Sequence, residues 1–156
     1  MILHLPLDSL SSRVGDELGV SDWLSISKDR IERFAAATGD NQWIHLDADR
    51  AASESPYSAT VAHGFLTLSL VTSLLRDTIQ IDDARMIINC GCDRVRFVSA
   101  VPAGSSIRAR FTVAGVAPAP DSVQVTWGVV IERKGHDKPS VVFDWKVRYY
   151  PTTNTR

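Results

Sequence analysis

The residues that could do chemistry are concentrated in the stretch 34–71. Asp40 and His45 stand five residues apart in a polar turn, so both can reach one water molecule without lying on a regular element. His63 and Gly64 then open an apolar segment, and the first backbone N–H groups of a helix there would be free to hold a developing oxyanion. These residue types predict a site that adds or removes water next to a carbonyl group.

The polar turn requires a helix in front of it and a second, short helix behind it. Ser27 is a favourable N-cap, and apolar residues recur at helical spacing until Gly39, which ends the first helix. Asp47 is predicted to cap a short helix that ends near Ala52. Residues 53–62 are then expected to form a loop.

The remainder of the chain is predicted to be one buried helix followed by a sheet. The segment from Gly64 to about Ile79 is apolar on almost every face, which indicates a buried central helix. Everything downstream of Arg85 is strand-like, and alternation within it predicts antiparallel strands arranged mostly as a meander, over residues 92–98, 107–113, 123–131 and 141–149. The fold class is therefore α+β, with an antiparallel sheet wrapped over the helix. A short strand is expected over residues 21–25, and the tail 152–156 is predicted to be disordered.

Composition narrows the class of protein. A chain of 156 residues is expected to form a single domain over residues 1–156, with a 44% hydrophobic fraction that can build a core. The net charge of -1 leaves no surplus of cations for a nucleic-acid partner. No apolar run is long enough to cross a bilayer, and a cytoplasmic location is expected. Cys90 and Cys92 are predicted to be buried, reduced thiols, and no metal site is expected.

A resemblance to a known family follows from the central motifs. The sequences FAAATGDNQWIHLD and AHGFLTLSL resemble those of the MaoC-like (R)-specific enoyl-CoA hydratases. The segment NCGCDRVRFVSAVPAG is similar to the strand that follows the helix in that family. The likeness covers about residues 21–150 and is strongest to the small single-hot-dog, mycobacterial-type hydratases. One departure concerns the family's D-x-N-P-x-H turn, which here has the sequence DNQWIH.

This resemblance implies a fold and a set of roles. The fold would be a hot-dog, and two copies would form a homodimer whose sheets join into one. Asp40 and His45 would be the catalytic pair, and the backbone N–H of Gly64 would be the oxyanion donor. Ser69 would be the helix hydroxyl that orients the catalytic aspartate; the alternative is a hydrogen bond from Ser69 back to the Phe65 carbonyl.

Further residues are assigned lesser roles. Asn41 and His63 are expected to help orient the catalytic pair. Trp43, Arg94 and Arg96 are candidates for substrate contact, the arginines through the phosphates of coenzyme A. The alternatives are that Trp43 only packs in the fold and that both arginines are solvated on the outer face of a strand.

The sequence therefore predicts an (R)-specific enoyl-CoA hydratase. Such an enzyme adds water reversibly to a trans-2-enoyl-CoA thioester and gives the (R)-3-hydroxyacyl product, without a metal or a bound cofactor. The alternatives are a 3-hydroxyacyl dehydratase that acts on acyl carrier protein, and a non-catalytic hot-dog domain that binds acyl-CoA. A basic rim able to meet an acidic carrier would favour the first alternative.

Overall fold

The computed structural model describes residues 1–152 of the chain. The elements, in chain order, are β1 (Leu3–Leu5), a 3-10 helix (Leu7–Arg13), β2 (Glu17–Val20), β3 (Leu24–Ser25), α1 (Lys28–Thr38), α2 (Trp43–Leu46), α3 (Ala48–Glu54), α4 (Gly64–Ser69), α5 (Val71–Arg76), β4 (Ile79–Ile81), β5 (Ala84–Phe97), β6 (Ser106–Ala119), β7 (Ser122–Arg133) and β8 (Val141–Pro151). The N–H of Thr152 donates to the Asp83 carbonyl at 2.7 Å. The rest of the tail predicted to be disordered lies outside the described residues.

The main sheet has the strand order β2-β6-β7-β8-β5, with β3 also paired to β6. All its pairs are antiparallel, and β6, β7 and β8 form the predicted meander. Strand β5 departs from a meander because it pairs with β8, at the edge opposite β2. It begins at Ala84, where the strand-like part of the sequence was predicted to start, although alternation is clear only over residues 92–98. In the described chain, one long side of β5 is therefore left unpaired.

The inner face of the sheet forms most of the core. Alternate residues of β6, β7 and β8 are buried, as the sequence pattern predicts, and they pack with residues of α4 and α5 in one cluster. Trp127 and Tyr149 lie deep in this face, where the Trp127 indole N–H donates to the Tyr149 hydroxyl at 3.0 Å. Burying these apolar faces drives the sheet to close over the helices.

The prediction of one long, buried central helix is only partly right. Two six-residue helices, α4 and α5, meet at Leu70. The hydroxyls of Ser69 and Ser73 donate to carbonyls three residues earlier, and such side-chain bonds compete with the regular helical pattern. One side of the pair enters the core, but Phe65 is 68% exposed on the other. In residues 1–152, no helix is long and apolar enough to cross a membrane.

Two further expectations require correction. The first residues, which showed no readable pattern, form β1, which pairs in parallel with β4. The predicted strand over residues 21–25 is only the two-residue β3, and β2 precedes it. Cys90 and Cys92 are exposed, not buried, because they lie on the open edge strand β5, where a register shift between Asn89 and Gly91 interrupts the pairing.

Candidate active site

Helix α1 delivers the chain to the polar turn as the sequence predicts. The Ser27 hydroxyl accepts a hydrogen bond from the Arg30 N–H, which caps the start of the helix. Gly39 adopts the left-handed conformation, with φ 76°, and its N–H donates to the Ala35 carbonyl. Glycine takes this conformation without steric cost. Asp40 therefore follows directly after the reversal and is exposed to solvent.

His45 lies in a one-turn helix, α2, that the sequence did not predict. Its side chain is only 6% exposed, and its Nδ1–H donates to the Val61 carbonyl at 2.6 Å. The Val61 N–H in turn donates to the Ile44 carbonyl at 3.0 Å, so two adjacent residues of α2 are tied to the segment at Val61. This arrangement fixes the tautomer of His45 and leaves Nε2 without a proton, as an acceptor.

The surroundings of His45 keep its imidazole neutral. Burial lowers the pKa of His45 below its usual value of 6.5, and the neighbouring His63 ring lowers it further. The hydrogen bond to Val61 and the Asp40 carboxylate act in the opposite direction, but burial is the largest contribution. A neutral imidazole with a free Nε2 is the form that can take a proton from water.

His63 is packed against both members of the predicted pair. Its ring is 2% exposed and stacks on the His45 ring, with centroids 3.7 Å apart and an interplanar angle of 25°. Its Nε2–H donates to the backbone carbonyl of Asp40 at 2.9 Å, and Phe34 packs against it with a centroid separation of 5.0 Å. The structure therefore brings His63 to the position expected of an orienting residue.

The same three residues lie close enough together to be candidate metal ligands. One side-chain ligand atom from each of Asp40, His45 and His63 lies within 4.8 Å of the others. However, the two imidazoles are stacked nearly parallel, so their lone pairs run side by side. A tetrahedral zinc site needs ligands that converge on one point, and this arrangement does not fit it.

Gly64 is the first residue of α4, so the helix itself does not use its N–H. A side chain at this position would collide with Phe97, because an ideal Cβ would lie 2.8 Å from Cδ1 and 2.9 Å from Cε1 of that ring. Only glycine leaves both the ring and the backbone undisturbed.

A cavity of about 260 Å³ joins these groups. His45 and Gly64 both line it, together with Tyr57, Thr67 and Ser140. Asp40 is not part of the cavity wall, although its carboxylate lies within 4.8 Å of an imidazole nitrogen of His45. The cavity is thus lined by a histidine that has an acceptor nitrogen and by a residue whose backbone N–H the helix does not use, with a carboxylate close to the histidine.

The structure does not bring every predicted residue to this cavity. The Ser69 hydroxyl donates to the Leu66 carbonyl at 2.9 Å, so the expected orienting contact with Asp40 is not made; the bond runs back into the helix, though not to Phe65. Asn41 is exposed and does not line the cavity. Trp43 packs beneath the Arg50 guanidinium, 4.3 Å from its ring centroid, which fits the packing alternative.

Arg94 and Arg96 also lie away from the cavity. Both line a separate depression with residues of β7 and β8, and Arg94 pairs with Asp144. Phe97 faces the cavity beside His45, whereas Arg96 points away from it, as strand alternation requires. Within the described chain these arginines are solvated residues of a strand, and the expected contact with coenzyme A is not supported.

Several groups at the site could not be predicted from the sequence. The Val61 carbonyl is a backbone atom, which carries no sequence signal. Tyr57, Thr67 and Ser140 are common residue types at positions without a motif, and only the folded chain brings them to the cavity.

Comparisons with known proteins agree with this geometry. Residues 9–134 match the family described as MaoC like domain. The chain is 40% identical over 141 residues to 3-hydroxyacyl-thioester dehydratase Z of Mycobacterium tuberculosis, which covers 90% of this chain and 93% of that protein. It is 41% identical over 144 residues to nodulation protein N of Rhizobium leguminosarum bv. viciae, covering 91% of this chain and 89% of that protein.

A solved structure shares the fold. The MaoC-like dehydratase from Rhodospirillum rubrum matches with a TM-score of 0.78 and 24% identity, over 96% of this chain and 99% of that one. The predicted α+β class and hot-dog arrangement are thereby confirmed.

Proposed function

The chain belongs to the MaoC-like family of hydratases and dehydratases, and from this premise we propose that it is an (R)-specific enoyl-CoA hydratase. It would add water reversibly to a trans-2-enoyl-CoA and form the (R)-3-hydroxyacyl-CoA. The observation that supports this most is the shared cavity of His45 and Gly64, in which the histidine is neutral and fixed in one tautomer. The proposal includes a cytoplasmic location and no bound metal or cofactor.

The reaction requires a base, an oxyanion donor and a proton for C2. His45 Nε2 takes a proton from water as the water oxygen bonds to C3 of the substrate. Electron density then moves from the C2–C3 double bond to the thioester oxygen, which accepts a hydrogen bond from the Gly64 N–H. A donor of this kind is worth roughly 3–4 kcal/mol in other enzymes. The proton reaches C2 from the Asp40–His45 pair, and this regenerates the thioester carbonyl.

The remaining residues hold this geometry. His63 fixes the backbone carbonyl of Asp40 through one nitrogen and supports the face of His45 with its ring. The Val61 carbonyl prevents His45 from rotating. Because the base, the donor and the carboxylate are pre-positioned, little reorganisation is needed when the substrate arrives.

The decisive experiment follows crotonyl-CoA by the loss of absorbance of the conjugated thioester. We expect activity in the wild type, and a fall of at least ~100-fold in His45→Gln and Asp40→Asn with folding retained. An active His45→Gln enzyme would contradict the mechanism. Chiral analysis of the product tests the stereochemistry, and an (S)-alcohol would exclude the (R)-specific assignment.

A second candidate substrate is the thioester of an acyl carrier protein. One observation favours it: Arg133, Lys134 and Lys138 lie on or beside the β7–β8 loop, and no acidic side chain in residues 1–152 comes within 4.0 Å of their charged groups. This loop leads directly to Ser140, which lines the cavity. Parallel assays with crotonyl-CoA and crotonyl carrier protein decide between the two. A preference for the carrier protein that Lys138→Glu abolishes would replace coenzyme A in the proposal.

We also propose that the enzyme is a homodimer joined through β5. This long edge strand carries exposed apolar side chains, including Met86, Ile87 and Ile88, and such edges readily pair with another strand. A second copy would extend the sheet across both chains. Light scattering is expected to give twice the chain mass, and Ile87→Lys to weaken the association. An active wild-type monomer at micromolar concentration would refute this assembly.

A further inference from the structure

Ser140 has an unusual environment for a serine. It immediately precedes β8, its side chain is 0% exposed, and its Oγ has no hydrogen-bond partner among the described residues. The same residue lines the cavity that contains His45 and Gly64. Buried hydroxyls in proteins are almost always hydrogen-bonded, so an orphan at a cavity wall calls for an occupant that supplies the bond.

The backbone around Ser140 holds this hydroxyl in place. The Ser140 N–H donates to the Ile131 carbonyl at 2.7 Å, and its own carbonyl accepts from the Val98 N–H at 2.8 Å. The nearby Ser99 hydroxyl also belongs to a cavity-lining residue, but it donates to the Pro139 carbonyl at 2.8 Å. The hydroxyl of Ser99 is therefore satisfied by the protein, whereas the more deeply buried hydroxyl of Ser140 is not.

The chemistry of the substrate limits what can satisfy Ser140. An acyl tail has no polar atoms and would leave the hydroxyl buried and unpaired, which is unfavourable. In the proposed reaction the thioester oxygen is bound by Gly64, and the oxygen at C3 is bound by His45. The next polar group along the substrate is the amide nearest to the sulfur in the pantetheine arm.

We infer that the Ser140 hydroxyl binds this first pantetheine amide and so strengthens the binding of the substrate whose thioester lies beside His45 and Gly64. The inference rests on the proposed function and adds a residue that recognises the carrier part of the substrate. It applies equally to coenzyme A and to carrier-protein thioesters, because both contain the same amide. Since this amide takes no part in bond making or breaking, its contact contributes equally to the ground state and the transition state.

The test combines Ser140→Ala with three crotonyl thioesters. Crotonyl-CoA and S-crotonyl-N-acetylcysteamine contain the amide, whereas S-ethyl thiocrotonate lacks it. We expect KM to rise roughly 3- to 10-fold for the first two at unchanged kcat, as for the loss of one neutral hydrogen bond, and no change for the third. Ser122, which is also buried but does not line the cavity, provides the matched control, and Ser122→Ala should leave all three unchanged. The melting temperature of Ser140→Ala should equal or exceed that of the wild type, because no protein bond is removed.

The outcomes separate this inference from the proposed function. Equal losses on all three substrates would move Ser140 to the reacting centre and overturn the inference, as would wild-type kinetics of Ser140→Ala. If Ser140→Ala does not fold, Ser140→Cys provides the second test, because it keeps a similar volume with a weaker donor. The inference fails if Ser140→Cys also does not fold, or if it folds without the same dependence on the substrate. A wild type that is inactive on every thioester would instead refute the proposed function.

Discussion

Replacing Gly64 by alanine tests the close packing at this position together with its part in catalysis. The added Cβ would lie 2.8 Å from Phe97 Cδ1. Non-bonded carbon atoms are most favourably separated by about 3.5–4.0 Å, so one of the two groups has to move by roughly 0.7 Å or more. Alanine keeps the backbone N–H, and any loss of turnover therefore reports a displaced donor or a blocked approach to it.

We expect kcat/KM for crotonyl-CoA to fall about 100-fold in Gly64→Ala, because a misplacement on the order of 1 Å at a reacting centre can cost that much. The effect on the free energy of unfolding should be smaller, about 1 kcal/mol, at the lower end of the range for overpacking. The reason is that the Phe97 side chain is 49% exposed and can swing towards solvent. Initial rates and urea unfolding measure the two quantities separately.

Phe97→Ala provides the second arm of a double-mutant cycle. If the collision with Phe97 causes the loss, Gly64→Ala will cost much less in the Phe97→Ala background, since the obstructing ring is gone. If the cost is unchanged, the substrate itself needs the open space at Gly64. Wild-type turnover and stability in the single variant Gly64→Ala would refute the reasoning altogether.

Four other expectations follow from the site, the core and the outer surface of the sheet. Because burial lowers the pKa of His45, the acidic limb of kcat/KM should lie below pH 6.5. Asp40→Asn should move this limb to still lower pH, since Asp40 acts to raise the pKa of His45. A limb above pH 6.5 in a pH–rate profile would contradict this. His45 binds a proton more readily in the unfolded chain than in the folded one. Its contribution to the free energy of unfolding is therefore complete above pH 6.5 and is lost on acidification. In urea titrations, the free energy of unfolding of His45→Gln should fall less on acidification than that of the wild type. Tyr149→Phe leaves the buried Trp127 indole N–H without its acceptor and should lower the free energy of unfolding by about 1–3 kcal/mol in urea melts. An unchanged free energy of unfolding would show that this hydrogen bond does not contribute to stability. Arg94→Ala should leave KM for crotonyl-CoA unchanged within about twofold, because Arg94 lies away from the cavity and its surface pair with Asp144 contributes little. A tenfold rise in KM would show that this arginine contacts the substrate.

The sequence predicts much of the fold because its signals there are long and regular. The alternation in β6, β7 and β8 continues over many residues. Ser27 and Gly39 mark the ends of α1, the first through a capping hydroxyl and the second through a left-handed backbone that glycine adopts easily. Helix α2 has four residues, too few to show a period. The early half of β5 was predicted as strand-like but without alternation, because an edge strand with exposed apolar residues lacks the separate polar and apolar faces that alternation detects.

Residue identities at the site were easier to predict than the contacts between residues. Asp40, His45 and Gly64 carry chemistry that only a few side chains or a glycine can supply, so type and order were sufficient to select them as candidates. Ser69 was assigned to Asp40 because a hydroxyl on a nearby helix could reach it, but the same hydroxyl can bond within its own turn. The sequence cannot decide between a carboxylate oxygen of Asp40 and a backbone carbonyl of the same helix as the acceptor. In the structure the hydroxyl uses the local carbonyl of Leu66.

The unusual turn of this chain can be understood from backbone contacts. Where the family often has Asn-Pro, this chain has Gln42 and Trp43 after Asn41, and the Asn41 and Gln42 side chains are exposed. His45 does not depend on them, because its ring is held by the Val61 carbonyl and by the stacked ring of His63. Because residues outside the turn hold the imidazole, the turn itself does not have to do so. The turn then has only to place Asp40, whose carbonyl is bound by His63, so the exposed Asn41 and Gln42 side chains are not needed to hold the imidazole.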